Sequence, residues 1–577
     1  MGENRTIPRG LRWLFALLIL LGCTLVLNHP GHLAIRGNLP SGTGPQGVSQ
    51  EQKAGWRWID RSDIPGWVTF LSSERMAGRG TATPACGVAA RYVAERLDAL
   101  GVAPVSVCGD GGRPDIDDYF QMVPVRECTA DRSRLEIETV RGGKTRRRRL
   151  RLDYEYRFAP RESFDLRLPV MPAGNGICEP DLGKDDYAGA DVAGKAVLIF
   201  EGIPGGWLAG LDPGTRRIMR EKYAGPVCGR CAKLEIASAH GAGAVIYVPK
   251  RWHGPRDEDR RVSAPAGVNP KHPPIFKRRL HLPEISDHPP SKSLPVVIVS
   301  PVAAGLLMSQ MAGTRGEGSL ATLSPDSGNG CRLQHDLMLV IHSRVEIREH
   351  ACRNVFGMVV GWDPRLRDEF IVVGAHLDHL GRLGKQVYNG ANDNASGVAA
   401  VLAVAAAVAG NPARPRRSLL FAFWTGEEVG LLGSRYFTDH PLVPLEKIRV
   451  YLNVDSVGFS GVHSLGNPRL RDSHEKRGME AVLLNAVVGA EAVALIPVMD
   501  RCNRHTGFEL VMKNGEPTGW QADYVSFGRR GVPWISLATS RSPHHHRLSD
   551  TVETVSFATI RRVAQWTYLV VSTLADG

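Results

Sequence analysis

The 577 residues exceed what one hydrophobic core can organise and predict two or three domains of about 100 to 200 residues each. Hydrophobic residues make up 43% of the chain and charged residues 23%, a globular balance. The net charge of +12 would suit a polyanion, but the basic residues are scattered apart from Arg146-Arg147-Arg148-Arg149. That run reads as a solvated loop with no nucleic-acid motif around it, so no nucleic-acid partner is expected.

Residues 13–27 form a 15-residue apolar core behind Arg5, Arg9 and Arg12. This is signal-peptide length, short of the roughly 20 residues a spanning helix needs, with a short uncleaved anchor as the alternative. Residues 1–28 are therefore read as a signal peptide or membrane anchor. The chain is expected to be exported: secreted, periplasmic, or anchored on the outer side of a membrane through residues 13–27. Leu20-Leu21-Gly22-Cys23 has the form of a lipobox, although apolar Thr24 to Leu27 argue against lipidation there. Met1-Gly2 with Thr6 fits the myristoylation pattern, a coincidence in front of a signal core. Residues 29–55, rich in Gly, Pro, Ser and Gln, read as a flexible linker.

Ten cysteines suit disulfides in an exported protein. Without Cys23 their number is odd, so at least one lies outside any intrachain pair. Cys228-Gly229-Arg230-Cys231 lacks the second pair that a zinc knuckle requires.

Residues 56–150 begin the first folded part, with helices predicted at Ile64–Arg75 and Cys86–Leu100, the latter stopped by Gly101. No chemistry is assigned to them. Residues 155–330 have another texture, with strands Ala196–Phe200 and Ala244–Val248 among Gly- and Pro-rich loops and a helix, Cys231–His240, between them. The stretch Asp185 to Leu198, together with Ala237 to Val245 and a closing strand Leu294–Ser300 before helical Pro301–Met311, resembles a protease-associated domain. The resemblance implies a β-rich, non-catalytic lid or substrate-facing module inserted in a peptidase chain. Residues 250–290, full of Arg, Lys, His and Pro, depart from it as a loop insertion.

Residues 335–577 alternate apolar strands with helices: strands Leu337–Ser343, Asn354–Gly361 and Phe370–Ala375, helix Ser396–Ala409, strand Ser418–Trp424, helix Gly430–Asp439 and strand Val450–Val454. Such alternation predicts an α/β fold, a mostly parallel mixed sheet sandwiched by helices. Ligands of such sheets gather outside the carboxyl ends of the strands. His376, Glu427, Glu428 and Asp455 fall there, and Asp393 precedes a helix. Imidazole nitrogen and carboxylate oxygen are the donors that borderline-hard divalent cations take, so the stretch reads as a hydrolytic metal centre.

His376-Leu377-Asp378, Asn392-Asp393-Asn394-Ala395-Ser396-Gly397, Glu427-Glu428-Val429-Gly430-Leu431-Leu432-Gly433-Ser434, Asn453-Val454-Asp455 and His546-Arg547-Leu548-Ser549-Asp550-Thr551 stand in this order. Together they resemble the co-catalytic di-zinc aminopeptidase family that includes bacterial leucyl aminopeptidases, aminopeptidase Y and glutamate carboxypeptidase II. The resemblance covers residues 56 to 577. It implies a zinc exopeptidase-like fold and two zinc ions, one held by His376, Asp393 and Asp455, the other by Asp393, Glu428 and His546. Asp393 bridges them ahead of an expected cis peptide to Asn394. Asp378 is expected to orient His376 through its second nitrogen, and Glu427 to act as general base. The His-x-x-x-Asp-Thr spacing selects His546 over His544, His545 stands where Tyr is common and is expected to line the pocket, and His379 and His342 are placed outside the ligand set. Gln521-Ala522-Asp523-Tyr524 resembles the family's Ser-Asp-His element with Tyr524 in place of His, and Asp523 is left out of the metal set.

The expected function is that of a zinc metallopeptidase, an aminopeptidase acting on peptide or protein substrates. The alternatives are a metal-free receptor-like binding protein on the same scaffold and a carboxypeptidase or aminoacyl cyclase variant. Complete sets for both zinc ions favour the di-zinc enzyme.

Overall fold

The computed structural model describes residues 23–27, 33–37, 48–105, 114–129, 133–141, 144–151, 155–158, 163–224, 228–250, 278–282, 294–311, 337–460, 482–516, 522–539 and 542–577. They divide into two compact units, 1–123 with 351–577, and 124–350. Of the apolar stretch 13–27, residues 13–22 lie outside the described residues, and Cys23–Leu27 pairs antiparallel with Leu33–Gly37.

The first unit opens with helix α1 (Gln50–Arg61), whose N-terminal N–H groups are met by the Ser49 hydroxyl accepting from Gln52 at 3.1 Å. This helix reaches into residues 29–55, read from sequence as linker, because Trp56 and Ile59 give it an apolar stripe to bury. The helix expected over Ile64–Arg75 ends earlier, as α2 (Ile64–Leu71). A tight turn over Glu74–Arg79 follows, where Ala77 and Gly78 take left-handed backbone with φ of 43° and 70°. Helix α3 (Pro84–Ala99) starts on Thr83 with proline in its first turn, where a missing N–H costs nothing.

Beyond residue 345 come strands β1 (Glu346–Val359) and β2 (Phe370–His376), helix α4 (Ser396–Ala409), strand β3 (Ser418–Trp424), helix α5 (Leu432–Asp439) and strand β4 (Ile448–Val454). Strand β5 (Leu483–Gly489), helix α6 (Ile496–Thr506), strand β6 (Glu509–Gly515), the short helix α7 (Tyr524–Gly528), strand β7 (Trp534–Ala538) and helix α8 (Phe557–Asp576) complete the unit. The strands lie in the order β1-β3-β2-β4-β7-β5-β6. Strands β3, β2, β4 and β7 run parallel, whereas β1 and β5 are antiparallel to their neighbours β3 and β7. This is the mixed, mostly parallel sheet that the alternation predicts.

Both faces of the central strands are covered, which is why those strands read as unbroken apolar runs. Side chains alternate across the sheet. Ile371, Val373 and Ala375 of β2 join one core with α1, α3, α4 and α8, and Val372 joins another with Trp424, Phe437, Tyr451, Phe527 and Trp534. Helix α4 is apolar all round and buried throughout, as a helix in the middle of a core must be.

In the second unit the sheet order is 144–149, 134–141, 337–343, 164–172, 196–200, 244–248, 296–299, 156–158. The four strands from 164–172 to 296–299 run parallel, with helix Cys228–Ala239 between Ala196–Phe200 and Ala244–Val248 and helix Pro301–Met311 after the last. Strands 134–141 and 337–343, read from sequence with the peptidase parts 56–150 and 335–577, pair with each other in this unit. Of the insertion at 250–290, all but residues 250 and 278–282 lie outside the described residues, and so does the side chain of each cysteine in the 228–231 motif.

Candidate metal centre

The three parallel strands at the middle of the first unit bring their carboxyl ends side by side. His376 is the last residue of β2, Glu427 and Glu428 lie just beyond β3, and Asp455 directly follows β4. Asp393 stands in the turn Ala391–Ala395 that leads into α4, and its bond to Asn394 is cis, as expected. His546 comes from the loop after β7, on left-handed backbone with φ 57°.

All five predicted ligands converge. The Nε2 atom of His376 is 3.2 Å from Asp393 Oδ1 and 3.5 Å from Asp455 Oδ1. The other oxygen of Asp393 faces the opposite way, with Oδ2 3.1 Å from His546 Nε2, itself 3.1 Å from Glu428 Oε2. One carboxylate thus serves two neighbouring clusters, His376 with Asp455 and His546 with Glu428. Glu427 offers an oxygen within 4.8 Å of the donor atoms of His376 and Glu428.

The motif Asn392–Gly397 holds this arrangement as a latch. The carboxylate of Asp550 accepts the N–H groups of Asn392 (2.8 Å) and Asp393 (3.1 Å), fixing the backbone that carries this shared carboxylate. Asn392 Oδ1 accepts from Gly458 N and Asn394 Oδ1 from Ser456 N, while Asn394 Nδ2 donates to the Val454 carbonyl, so both asparagines grip the loop that presents Asp455. The Ser396 hydroxyl donates to the Asn392 carbonyl and accepts from Val457 N. At Gly397 a Cβ would stand 2.2 Å from Asn394 Oδ1 and 2.4 Å from the Val454 carbonyl, so only glycine fits.

Asp378 differs from its expected role. The Nδ1 atom of His376 meets the Asp378 backbone carbonyl at 3.0 Å, while the nearest carboxylate oxygen is 3.9 Å away. The carboxylate instead accepts from the Thr81 hydroxyl (2.7 Å) and from the N–H groups of Glu427 (3.0 Å) and Glu428 (3.3 Å). It aims the two glutamates, a stronger use for an anion than a second contact to an imidazole already fixed by a carbonyl.

One histidine lies nearer the centre than expected. His379, placed outside the ligand set, packs into the cluster with Nδ1 2.7 Å from Glu428 Oε1. His545 reaches Asp393 Oδ2 at 3.2 Å, whereas His544 bonds Ser549. His342 pairs with Asp165 in the second unit. Asp523 is buried in the first unit, and burial pushes its carboxyl up to about 7.

Sequence reasoning missed Arg79 and Thr81. The Arg79 guanidinium is buried and donates to the carbonyls of Leu377, Leu71, Asn389 and Gly390, tying the turn after α2 to the loops that carry His376 and Asp393. The available signal was an arginine between two glycines, Gly78 and Gly80, in the stretch between the two predicted helices.

Charge inside the cluster is self-balanced. Burial opposes ionisation of Asp393, but hydrogen bonds from His376, His545 and His546 hold it well below the usual carboxylate range. Burial and the Asp393 charge push Glu428 up, yet His546 and His379 bring it down to about 2. Burial likewise disfavours a charged His376, which Glu427, Asp393 and Asp455 nevertheless raise well above the ordinary imidazole value. Burial pushes Glu427 up, with Glu428, Asp523 and Asp455 adding to the rise. Buried carboxylates so dependent on positive charge fit a cation-binding centre, since a divalent ion replaces the imidazole protons.

Residues 354–571 match the model of Peptidase family M28. The chain matches leupeptin-inactivating enzyme 1 of Streptomyces exfoliatus at 37% identity over 106 residues, 18% of this chain and 23% of that protein. It is similar to aminopeptidase NAALADL1 of Mus musculus at 29% over 237 residues, 38% of this chain and 29% of that one. A probable lipoprotein aminopeptidase, LpqL of Mycobacterium tuberculosis, matches at 29% over 201 residues, 32% and 38% of the two chains. The chain thus spans less than a third of the first two relatives. The solved aminopeptidase of Aneurinibacillus sp. strain AM-1 shares the fold, with a TM-score of 0.52 at 17% identity over 90% of this chain and 96% of that one. The matched segment, 354–571, contains every predicted ligand.

Proposed function

We propose that this protein is a zinc-dependent metallopeptidase, an aminopeptidase that hydrolyses peptide bonds at the amino end of peptide or protein substrates. The division of Asp393 between His376 on one oxygen and His546 on the other carries the reading, because a shared carboxylate is what a pair of cations needs. One zinc is assigned to His376, Asp393 and Asp455, the second to Asp393, Glu428 and His546. Zinc bound there would lower the pKa of a coordinated water and polarise the scissile carbonyl. Glu427, adjoining the donors without being needed as one, takes a proton from the attacking water and passes it to the leaving amine. The names of the matched relatives support the amino-end preference.

Residues 155–330 are assigned as a protease-associated domain, and the chain as exported, with residues 13–27 as its leader or tether. The test uses purified full-length protein. Two zinc equivalents by metal analysis and chelator-sensitive cleavage of aminoacyl p-nitroanilides, abolished by blocking the amine, are the expected results. Undiminished cleavage of the blocked substrates overturns the amino-end reading, and absence of bound metal overturns the enzyme.

A further inference from the structure

Glu428 has two oxygens, and the structure gives them different neighbours. Oε2 faces His546, 3.1 Å away, where the proposed second zinc is shared with Asp393. Oε1 faces His379 Nδ1 at 2.7 Å. An ionised carboxylate can only accept, so Nδ1 carries the hydrogen of this bond. No other side-chain hydrogen bond involves the His379 ring among the described residues, and its Nε2 is buried without a partner there.

The ring is held from several sides. The backbone N–H of His379 donates to the Arg79 carbonyl at 3.2 Å. The Gly390 backbone lies against the ring so closely that a Cβ there would stand 2.5 Å from Cγ and Cδ2 of His379. Gly390 also takes left-handed backbone, φ 62°, and its carbonyl accepts from Arg79. An imidazole fixed this firmly, with one donor aimed at one oxygen, sets the rotation of the Glu428 carboxylate.

We infer that His379 is a positioning residue for the second metal site: its Nδ1–H locks Glu428 so that Oε2 alone is presented to the cation, and the affinity of that site depends on this bond. The inference rests on the di-zinc reading and deepens it. Outer partners that orient ligands change metal affinity by about 10–100-fold when removed.

The test compares His379→Leu, which keeps bulk and loses the donor, with His379→Asn, whose amide nitrogen sits where Nδ1 sits, two bonds from Cβ. Apo full-length protein is titrated with zinc against a chromophoric chelator, and with cobalt(II) followed by its visible absorption. Wild type is expected to take up two equivalents. His379→Leu should weaken one of them about 10–100-fold and leave the other unchanged, and His379→Asn should restore binding to within a few-fold of wild type. Two equivalents bound by the Leu variant as tightly as by wild type, or an Asn variant as weak as Leu, overturns the positioning role; the second result would instead make His379 a ligand. A wild-type chain that binds neither ion overturns the di-zinc reading and this inference with it.

Discussion

The carboxylate of Asp378 accepts the backbone N–H of Glu427 at 3.0 Å, joining the end of β2 to the turn after β3 where the proposed base resides. Asp378→Asn would set its amide NH2 against the N–H of Glu427 or that of Glu428 whichever way it turns, because Oδ1 accepts from the first and Oδ2 from the second. A mismatched buried hydrogen bond costs about 1–3 kcal/mol. Expected is a fall in kcat of about 10–100-fold with both zinc equivalents retained, measured by steady-state kinetics beside metal analysis. Loss of zinc in proportion to activity would mean that Asp378 acts through His376 after all.

Glu427 and Glu428 are neighbours with different assigned work, so their glutamine variants should separate. Glu427→Gln is expected to bind two zinc equivalents and lose about 10²–10⁴-fold in kcat, the span of general acid–base catalysis. Glu428→Gln should lose one equivalent. Near-wild-type turnover in Glu427→Gln would remove it as the base.

Arg79 is buried, and its guanidinium satisfies four backbone carbonyls. Arg79→Met leaves those acceptors without donors, each at about 1–3 kcal/mol. The urea midpoint of the first unit should fall by the equivalent of at least about 3 kcal/mol, read from tryptophan fluorescence. An unchanged midpoint would show that the turn after α2 braces nothing.

Gly397→Ala should destabilise by about 1–3 kcal/mol, the usual cost of overpacking, because the new Cβ would stand 2.2 Å from Asn394 Oδ1. Chemical denaturation is the readout. Unlike an ordinary helical Gly→Ala change, which stabilises, this one reports on the latch.

Lys233 lies buried in the second unit, its amine donating to the carbonyls of Phe200 and Gly202, and loss of hydration pushes it down to about 8 from 10.5. Between those values the unfolded chain holds a proton that the folded chain lacks, so this residue makes stability rise with pH across the window. The whole window is worth on the order of 3 kcal/mol. The unfolding midpoint of wild type should gain on that of Lys233→Met as pH goes from 8 to 10. Parallel curves would mean that the amine is solvated.

The central sheet and the convergence of His376, Asp393, Glu428, Asp455 and His546 were legible in the sequence because parallel strands must be apolar on both faces and polar side chains gather beyond their ends. His376, Glu427, Glu428 and Asp455 therefore announce themselves by position. The support behind them was not legible. Asp378 looked like a partner for an imidazole because sequence spacing cannot distinguish a carboxylate from its own backbone carbonyl. His379 was set aside since nothing local shows that its ring turns toward Glu428, and Arg79 bonds to residues about 300 positions away. The start of α1 fell in residues read as linker because a short amphipathic helix needs α4 and α8 present before its stripe has anywhere to go.

That remoteness orders events on the ribosome. Arg79 and Leu377, bonded in the finished molecule, are 298 positions apart. At a synthesis rate of roughly 5–20 residues per second, about 15–60 s pass between their emergence. During that interval the guanidinium can reach the Leu71 carbonyl but none of its three distant acceptors, while residues 124–350 emerge and become free to fold. The insertion is then complete before its host, and the cluster around Asp393 cannot assemble until the loop bearing His546 has left the exit tunnel.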